Sequence, residues 1–255
     1  MTFDITYIGG PTVLLRVGAL HLLTDPTFDA AGKHYVFGFG TSSDKVLGPA
    51  VSKDALPPLD AVLLTHDQHD DNLDGAGREV LERAPRVLTT PDAARRLGAK
   101  SEGLEPWQSV TVGPVRITAT PARHGPPLSR PFVGAVTGFI LEWEGQLNGA
   151  LYISGDTVWF SGIREVARRF KVGTAILHLG SAQFPLTGPV RFTFDAKDAV
   201  RAIRALSPRT VVPVHYEGWS HFAQGRSPAQ DVFDRAALTA DVVWLPPGKP
   251  VTLSV

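Results

Sequence analysis

Leu64-Thr65-His66-Asp67-Gln68-His69-Asp70-Asp71-Asn72-Leu73-Asp74 places two histidines and four aspartates within eleven residues. The stretch follows Ala61–Leu64, a short apolar run bounded by Pro57-Pro58, which reads as a strand buried on both faces. Imidazoles and carboxylates leaving the carboxyl end of such a strand stand where open α/β sheets bind their ligands. Three further runs end in the same way: His124 in Pro121-Ala122-Arg123-His124, Asp156 in Ser154-Gly155-Asp156-Thr157 after Leu151–Ile153, and His215 in Val214-His215-Tyr216 after Thr210–Val214. One histidine after a strand is ordinarily a loop or core residue, and Gly-Asp an ordinary turn. Recurrence at several strand ends points instead to one shared crevice.

The other strands set the architecture. Phe3–Ile8, Thr12–Val17 and Leu20–Leu23 are separated by Gly9-Gly10-Pro11 and Gly18, and strands this close pair antiparallel. A helix over Leu73–Arg83, a strand at Val87–Thr90 and a short helix over Ala93–Leu97 follow. Beyond Gly103 the order repeats, with strands near Val110–Val112, Val115–Thr120, Val136–Trp143 and Ala150–Ile153. Ile163, Val166, Ala167 and Phe170 then share one helical face, and Asp195 caps a helix carrying Ala199, Val200, Ile203 and Leu206. The pattern predicts two sheets packed face to face with helices outside, in a single α/β domain over residues 1–255. Residues 26–57 show little periodicity and read as a structureless lid or pocket wall.

Composition narrows the chemistry. No cysteine occurs among the 255 residues, so disulfides, zinc fingers, iron–sulfur clusters and cysteine nucleophiles are excluded. Any metal must be held by histidine and carboxylates. With 25 basic and 25 acidic side chains, nothing supports binding to nucleic acid or an anionic membrane. The start lacks the features of a secretory signal and no apolar run reaches spanning length, so the expectation is a soluble, cytoplasmic protein. Imidazole and carboxylate suit divalent ions, and a bridging carboxylate such as Asp156 would place two of them a few ångströms apart. Such a centre ionises water near neutral pH for attack on a carbonyl or phosphoryl group.

The chain resembles the metallo-β-lactamase fold superfamily, most closely its lactonase- and phosphodiesterase-like branch of metal-dependent hydrolases. Tyr7-Ile8-Gly9-Gly10 and Leu23-Thr24-Asp25-Pro26 are similar to its opening strands, Thr65–Asp74 to its HxHxDH loop, Thr120–His124 to its third-histidine segment, Ser154–Thr157 to its GDT motif, and Pro213–Tyr216 to its terminal histidine segment. The resemblance implies an αββα four-layer sandwich with one or two divalent ions, zinc first, with manganese or iron as alternatives. It also implies a ligand set. Read rigidly from His66, the motif falls on His66, Gln68, Asp70 and Asp71. Aligned on its end, it assigns His66, His69 and His124 to a first metal, Asp71 and His215 to a second, and Asp156 as bridge. The second alignment is preferred, with Gln68 and Asp70 as alternatives. Asn72 replaces the usual histidine before the leucine, so the second site is expected to be weaker or to take a harder ion such as Mn²⁺.

Asp71 and Asp156 are accordingly the expected catalytic carboxylates, Asp71 taking or steering the proton of the attacking water. His178, Trp219 and His221 are expected to line the substrate pocket, with His34, Tyr35 and Phe37 reaching it from the long loop. Asp25 is expected to orient a ligand, and His21 to be structural. Arg123 and Arg130 flank His124 and offer a place for one anionic group. The expected activity is hydrolysis of a small ester, lactone or phosphodiester, with a small molecule as partner. A metal-poor ligand-binding relative and an RNA-processing nuclease are the alternatives, the latter disfavoured by neutral charge.

Overall fold

The computed structural model describes residues 2–254. Strands β1 (Thr2–Gly9), β2 (Thr12–Val17) and β3 (Leu20–Thr24) form an antiparallel meander, as their tight glycine turns require. A hairpin of β4 (His34–Gly38) and β5 (Thr41–Asp44) forms its own two-stranded sheet. β6 (Ala61–Leu63), α1 (Gly75–Arg83), β7 (Val87–Thr89), α2 (Pro91–Leu97) and β8 (Ser101–Gly103) then extend the first sheet in parallel.

The second half repeats this order. β9 (Ser109–Val112), β10 (Val115–Pro121), the short α3 (Arg130–Val133), β11 (Thr137–Glu142) and β12 (Ala150–Ile153) supply its antiparallel strands. α4 (Ser161–Arg169), β13 (Val172–His178), α5 (Ala196–Leu206), β14 (Thr210–Val214), α6 (Arg226–Arg235) and β15 (Asp241–Val242) continue in parallel, and β16 (Pro250–Ser254) returns to pair with β1. Two seven-stranded sheets result, ordered β16-β1-β2-β3-β6-β7-β8 and β15-β14-β13-β12-β11-β10-β9.

Alternation along β1 explains how the sheets meet. Phe3, Ile5 and Tyr7 join a buried cluster with Ile117, Phe139 and Ile176 of the second sheet, while Ile8 faces the other way. Phe3 meets Trp143 edge-on at 5.9 Å, and Tyr7 stacks on Tyr216 at 6.0 Å. Ile163 and Val166 of α4, with Ala199 and Ile203 of α5, pack against this cluster; Val80 and Leu81 of α1 pack with Leu23 and Val62 instead. Helices thus lie outside both sheets, the αββα arrangement. Asp195 caps α5 by accepting from the Asp198 amide at 2.7 Å. Among the described residues, no helix is long and apolar enough to cross a membrane.

The expectation of a structureless 26–57 segment is corrected. Besides the hairpin, the segment carries a buried polar anchor. Asp74 Oδ1 accepts from the amides of Phe28 at 2.9 Å and Gly77 at 2.8 Å, and Oδ2 from the Asp29 amide and Lys45 Nζ, both at 2.7 Å. One carboxylate therefore caps α1 and fastens the segment to it. Gly77 permits the approach, because a Cβ there would stand 1.8 Å from the Pro26 carbonyl oxygen. The hairpin escaped sequence reading because its residues are mostly half-buried or exposed and show no apolar alternation. α6 and the short β8, β15 and β16 were likewise not anticipated.

Lys45 and Asp74 are 3% and 0% exposed at their side chains, so removing either leaves a buried partner. Asp74→Ala strands the Lys45 ammonium and uncaps α1, whereas Lys45→Met leaves Asp74 with three amide donors. Urea unfolding should show Asp74→Ala losing about 3–5 kcal/mol and Lys45→Met clearly less. The reverse order would refute the anchor.

Candidate metal centre

Every titratable group singled out at a strand end arrives at one edge of the sandwich. β6 delivers His66 and His69, β10 delivers His124, β12 delivers Asp156 and β14 delivers His215. Ligand atoms of His66, His69 and His124 lie within 4.8 Å of one another, as do those of Asp71, Asp156 and His215. His69 Nδ1 is 3.2 Å from His66 Nε2 and 3.1 Å from His124 Nε2.

Hydrogen bonds behind the cluster decide which nitrogens are bare. The Phe192 carbonyl accepts from His124 Nδ1 at 2.7 Å, so His124 Nε2 carries no proton when the ring is neutral. Thr65 Oγ1 donates to Asp25 Oδ1 at 3.0 Å and is 3.1 Å from His66 Nδ1, so it accepts that N–H and leaves His66 Nε2 bare as well. Asp25 is held in turn by the Thr65 amide at 2.7 Å. It stands behind the ligand loop, in the orienting place expected of it.

Gln68 does not enter the cluster. Its amide oxygen accepts from Arg96 Nη2 at 2.8 Å and its nitrogen donates to Asp67 at 3.3 Å. It packs so closely on Gly134 that a Cβ there would collide with it. Asp70 is half-buried and belongs to neither group. Asn72 is buried and donates to Thr65 Oγ1 at 3.3 Å.

The second group is less satisfied. His215 Nε2 is 3.4 Å from Asp71 Oδ2 and its Nδ1 is 3.2 Å from Asp156 Oδ1. None of these contacts has hydrogen-bonding geometry; both His215 nitrogens, both Asp156 oxygens and Asp71 Oδ1 are buried without a partner. His215 also adopts a left-handed backbone, φ 56°, held by its amide donating to the Gly10 carbonyl at 2.7 Å. Strain of this kind in a non-glycine residue collects at functional sites.

Electrostatics agree with the geometry. Burial, reinforced by the neighbouring histidines, pushes the His66 pKa well below its ordinary value and brings His124 down to about 3. Burial likewise lowers His69, and lowers His215 to about 4 against the pull of Asp71. Burial opposes ionisation of Asp71, but the nearby His215 imidazole and the hydrogen bond from His221 outweigh it and hold the carboxyl well below the usual range. Asp156 goes the other way, raised by burial and then by the Asp71 charge. Bare imidazole nitrogens and orphaned carboxylate oxygens facing one another are the donor set a divalent cation satisfies. The residues present therefore fit such an ion.

Three expected pocket residues divide. His221 lines the cavity above the cluster and donates from Nε2 to Asp71 Oδ2 at 3.1 Å, with Ser43 Oγ 2.7 Å from Nδ1. His178 does not line it: fully buried, it sits with Nε2 3.4 Å from Asp25 Oδ2. Trp219 does not either; it backs Tyr35 at 5.0 Å and Phe37 at 6.2 Å. Both expectations are corrected, because His178 is still within β13 and points into the protein. In the hairpin, Phe37 lines the cavity, whereas Tyr35 donates to Asp29 and exposed His34 pairs with Asp44. Sequence reading missed Phe184 and Phe192, which wall the cavity from the loop after β13. Their place beyond a strand's carboxyl end was the available signal.

The fold and this site define a protein of the metallo-β-lactamase type. Residues 21–216 match the family model described as a beta-lactamase superfamily domain, and the chain belongs to that family. A UPF0173 metal-dependent hydrolase from Pelotomaculum thermopropionicum is 29% identical over 202 residues, covering 76% of this chain and 82% of the relative. Another from Pyrococcus abyssi is 27% identical over 200 residues, with the same coverage. The fold is also that of an isothiocyanate hydrolase from Delia radicum gut bacteria (TM-score 0.81, 22% identity, 98% of this chain and 99% of that one). Igni18, a metallo hydrolase from Ignicoccus hospitalis, superposes with TM-score 0.73 at 22% identity over the whole of both chains.

Burial favours the neutral rings of His66, His69, His124 and His215, and Asp71 is held ionised, whereas burial and the Asp71 charge make Asp156 the carboxylate ligand that favours keeping its proton. A cation must displace it, so affinity rises with pH through the elevated Asp156 pKa. Calorimetric titration of metal-free protein with zinc, in two buffers of different ionisation enthalpy, should show Asp156→Asn releasing about one proton fewer than wild type. Equal release from both would place the proton elsewhere.

Proposed function

We propose that the protein is a metal-dependent hydrolase of small ester, lactone or phosphodiester substrates. The observation that carries this reading is the pair of three-residue groups beside one cavity, the second of them with buried, unpartnered nitrogens and carboxylate oxygens. His66, His69 and His124 would hold one ion; Asp71, Asp156 and His215 would hold a second, with Asp156 as bridge. Zinc is the first choice, with manganese or iron as alternatives. When bound, such ions lower the pKa of water and polarise the scissile carbonyl or phosphoryl oxygen.

The chain's own residues supply the remainder. Thr65 and the Phe192 carbonyl hold His66 and His124 with Nε2 forward. Asp71 stays ionised under the hydrogen bond from His221, so its free Oδ1 steers the proton of the attacking water. The apolar walls exclude bulk solvent from the reacting centre. For an ester, water adds to the carbonyl carbon, the acyl C–O bond breaks, and the alcohol leaves with a proton.

Elemental analysis with a substrate panel tests the reading, and isothiocyanates, the substrates in the name of the gut-bacterial neighbour, belong in that panel. One ion should survive dialysis while a second is lost to mild chelation, because three imidazoles face a group with only one. Two equally retained ions would refute the asymmetry; none bound from added zinc or manganese would refute the function.

Substitution separates the two alignments of the ligand loop. Losing a group behind a ligand typically costs about 10–100-fold in metal affinity, and His69→Ala should exceed that. Gln68→Ala should leave affinity unchanged. A harmless His69→Ala would return Gln68 and Asp70 to consideration.

A further inference from the structure

The cavity above the cluster has a volume of about 500 Å³, within the range of small-molecule sites. Its polar base is formed by His69, Asp71, His124 and His221, and above them the wall is almost wholly apolar. Phe37, Phe184 and Phe192 form the inner wall. Phe37 stands 5.7 Å from the ring of His69 and 5.5 Å from that of His221, and Phe184 stacks on His221 at 5.0 Å. A substrate reaching the base must lie along these rings.

The outer wall is formed by Phe39, Leu128 and Phe132. Phe39, at the hairpin tip, and Phe132, on α3, are 71% and 63% exposed yet meet edge-to-face at 5.4 Å. Leu128 is 90% exposed beside them. Aromatic rings from two separate segments that touch across an opening, with more of their surface in water than buried, form an apolar mouth continuous with an apolar interior.

Among the described residues, no lysine or arginine lines this cavity. The cations of nearby segments are engaged elsewhere. Arg123 donates to the Trp159 carbonyl and lies over the Phe160 ring, Arg130 pairs with Asp92, Lys45 with Asp74, and Lys33 with Asp29. Arg123 and Arg130, where the sequence offers a place for one anionic group, line a neighbouring cavity that meets this one at His124, Pro126, Leu128 and Ser129, away from the aromatic wall. An anionic tail would be desolvated without a partner, at a cost an uncharged tail avoids.

We infer that the site selects an uncharged substrate with a hydrophobic aryl or alkyl tail, lodged between Phe37, Phe184 and Phe192 and closed off by Phe39 and Phe132. Within the proposed hydrolase function, on which this rests, it favours esters or lactones of hydrophobic acids or alcohols over substrates whose tail is charged. The tail contributes binding in proportion to its buried length, and the reacting carbonyl lies at the polar base.

Binding and turnover test this separately, both on metal-loaded protein. Calorimetry with phenylalkanols from benzyl alcohol to 6-phenylhexanol reads the cavity without any bond to hydrolyse. Kd should fall about three- to fourfold per added methylene until the cavity is filled. Phe132→Ala, at an exposed position that the fold tolerates, should weaken 6-phenylhexanol several-fold and leave benzyl alcohol unchanged. With p-nitrophenyl esters from acetate to octanoate, kcat/KM should climb over the same lengths, and the p-nitrophenyl monoester of succinic acid, whose tail ends in a carboxylate, should be the poorest substrate. Affinity indifferent to chain length, or preference for the carboxylate-tailed ester, overturns the inference even if esters are hydrolysed. Length-dependent alkanol binding with no hydrolysis of any ester leaves the hydrophobic site standing and overturns the hydrolase reading.

Discussion

Removing four imidazoles and two carboxylates from water at the seam between two sheets is the constraint on which the rest of the structure depends. Each imidazole answers it by giving up its proton: burial alone favours the neutral ring, and neighbouring rings strengthen the preference. The two carboxylates answer it differently. Asp71 keeps its charge by recruiting His221 and His215, and that charge then raises the pKa of Asp156 beside it. Two chemically identical side chains thus acquire opposite protonation preferences from their neighbours alone. The backbone bears part of the load, since His215 takes a left-handed conformation and is held there by the Gly10 carbonyl of the opposite sheet.

The fold can meet this constraint because both sheets end their parallel strands at the same edge. Short runs such as Ala61–Leu63 and Thr210–Val214 are buried along their full length, so a polar residue after them marks where the strand stops. That made the strand ends legible in one sequence, together with the groups converging there. His178 and His221 show where such reading fails. His178 closes an apolar run and His221 follows Trp219-Ser220; both are buried, yet His178 is the last residue of β13 with its ring against Asp25, whereas His221 lies beyond β14 at the cavity. Which face a strand's final residue takes depends on register against neighbours, and β13 pairs on both sides. Local pattern does not contain that information.

The ligand loop shows how one extra residue is absorbed without losing the cluster. After His66 the chain turns, with the Asn72 and Leu73 amides both donating to the His69 carbonyl. The turn throws Gln68 outward onto Gly134 and the Asp67–Arg96 pair, and His69 swings in to meet His66 and His124. Residue spacing alone allows two alignments. Only the side-chain partners separate them, because Gln68 has polar company at the loop's outer face and His69 has none except the other two histidines.

The hairpin links this polar base to the apolar wall above it. Its sequence shows no apolar alternation, and its place follows from the anchor preceding α1 and from contacts at its ends. Asp74 fastens Phe28, Asp29 and Lys45, Ser43 reaches His221, and the Asp44 amide donates to Ser220. With both flanks tied to the sandwich, Phe37 is held against His69 and His221 at once, and Phe39 is carried out to meet Phe132. The tethers are polar and buried, while the surfaces they position are apolar. Hydrogen bonds are directional and set where the hairpin stands; hydrophobic contact is not, and can accept a guest of variable shape. Precision at the base and tolerance at the wall therefore come from two different kinds of interaction, joined in one short segment that carries few local signals of structure.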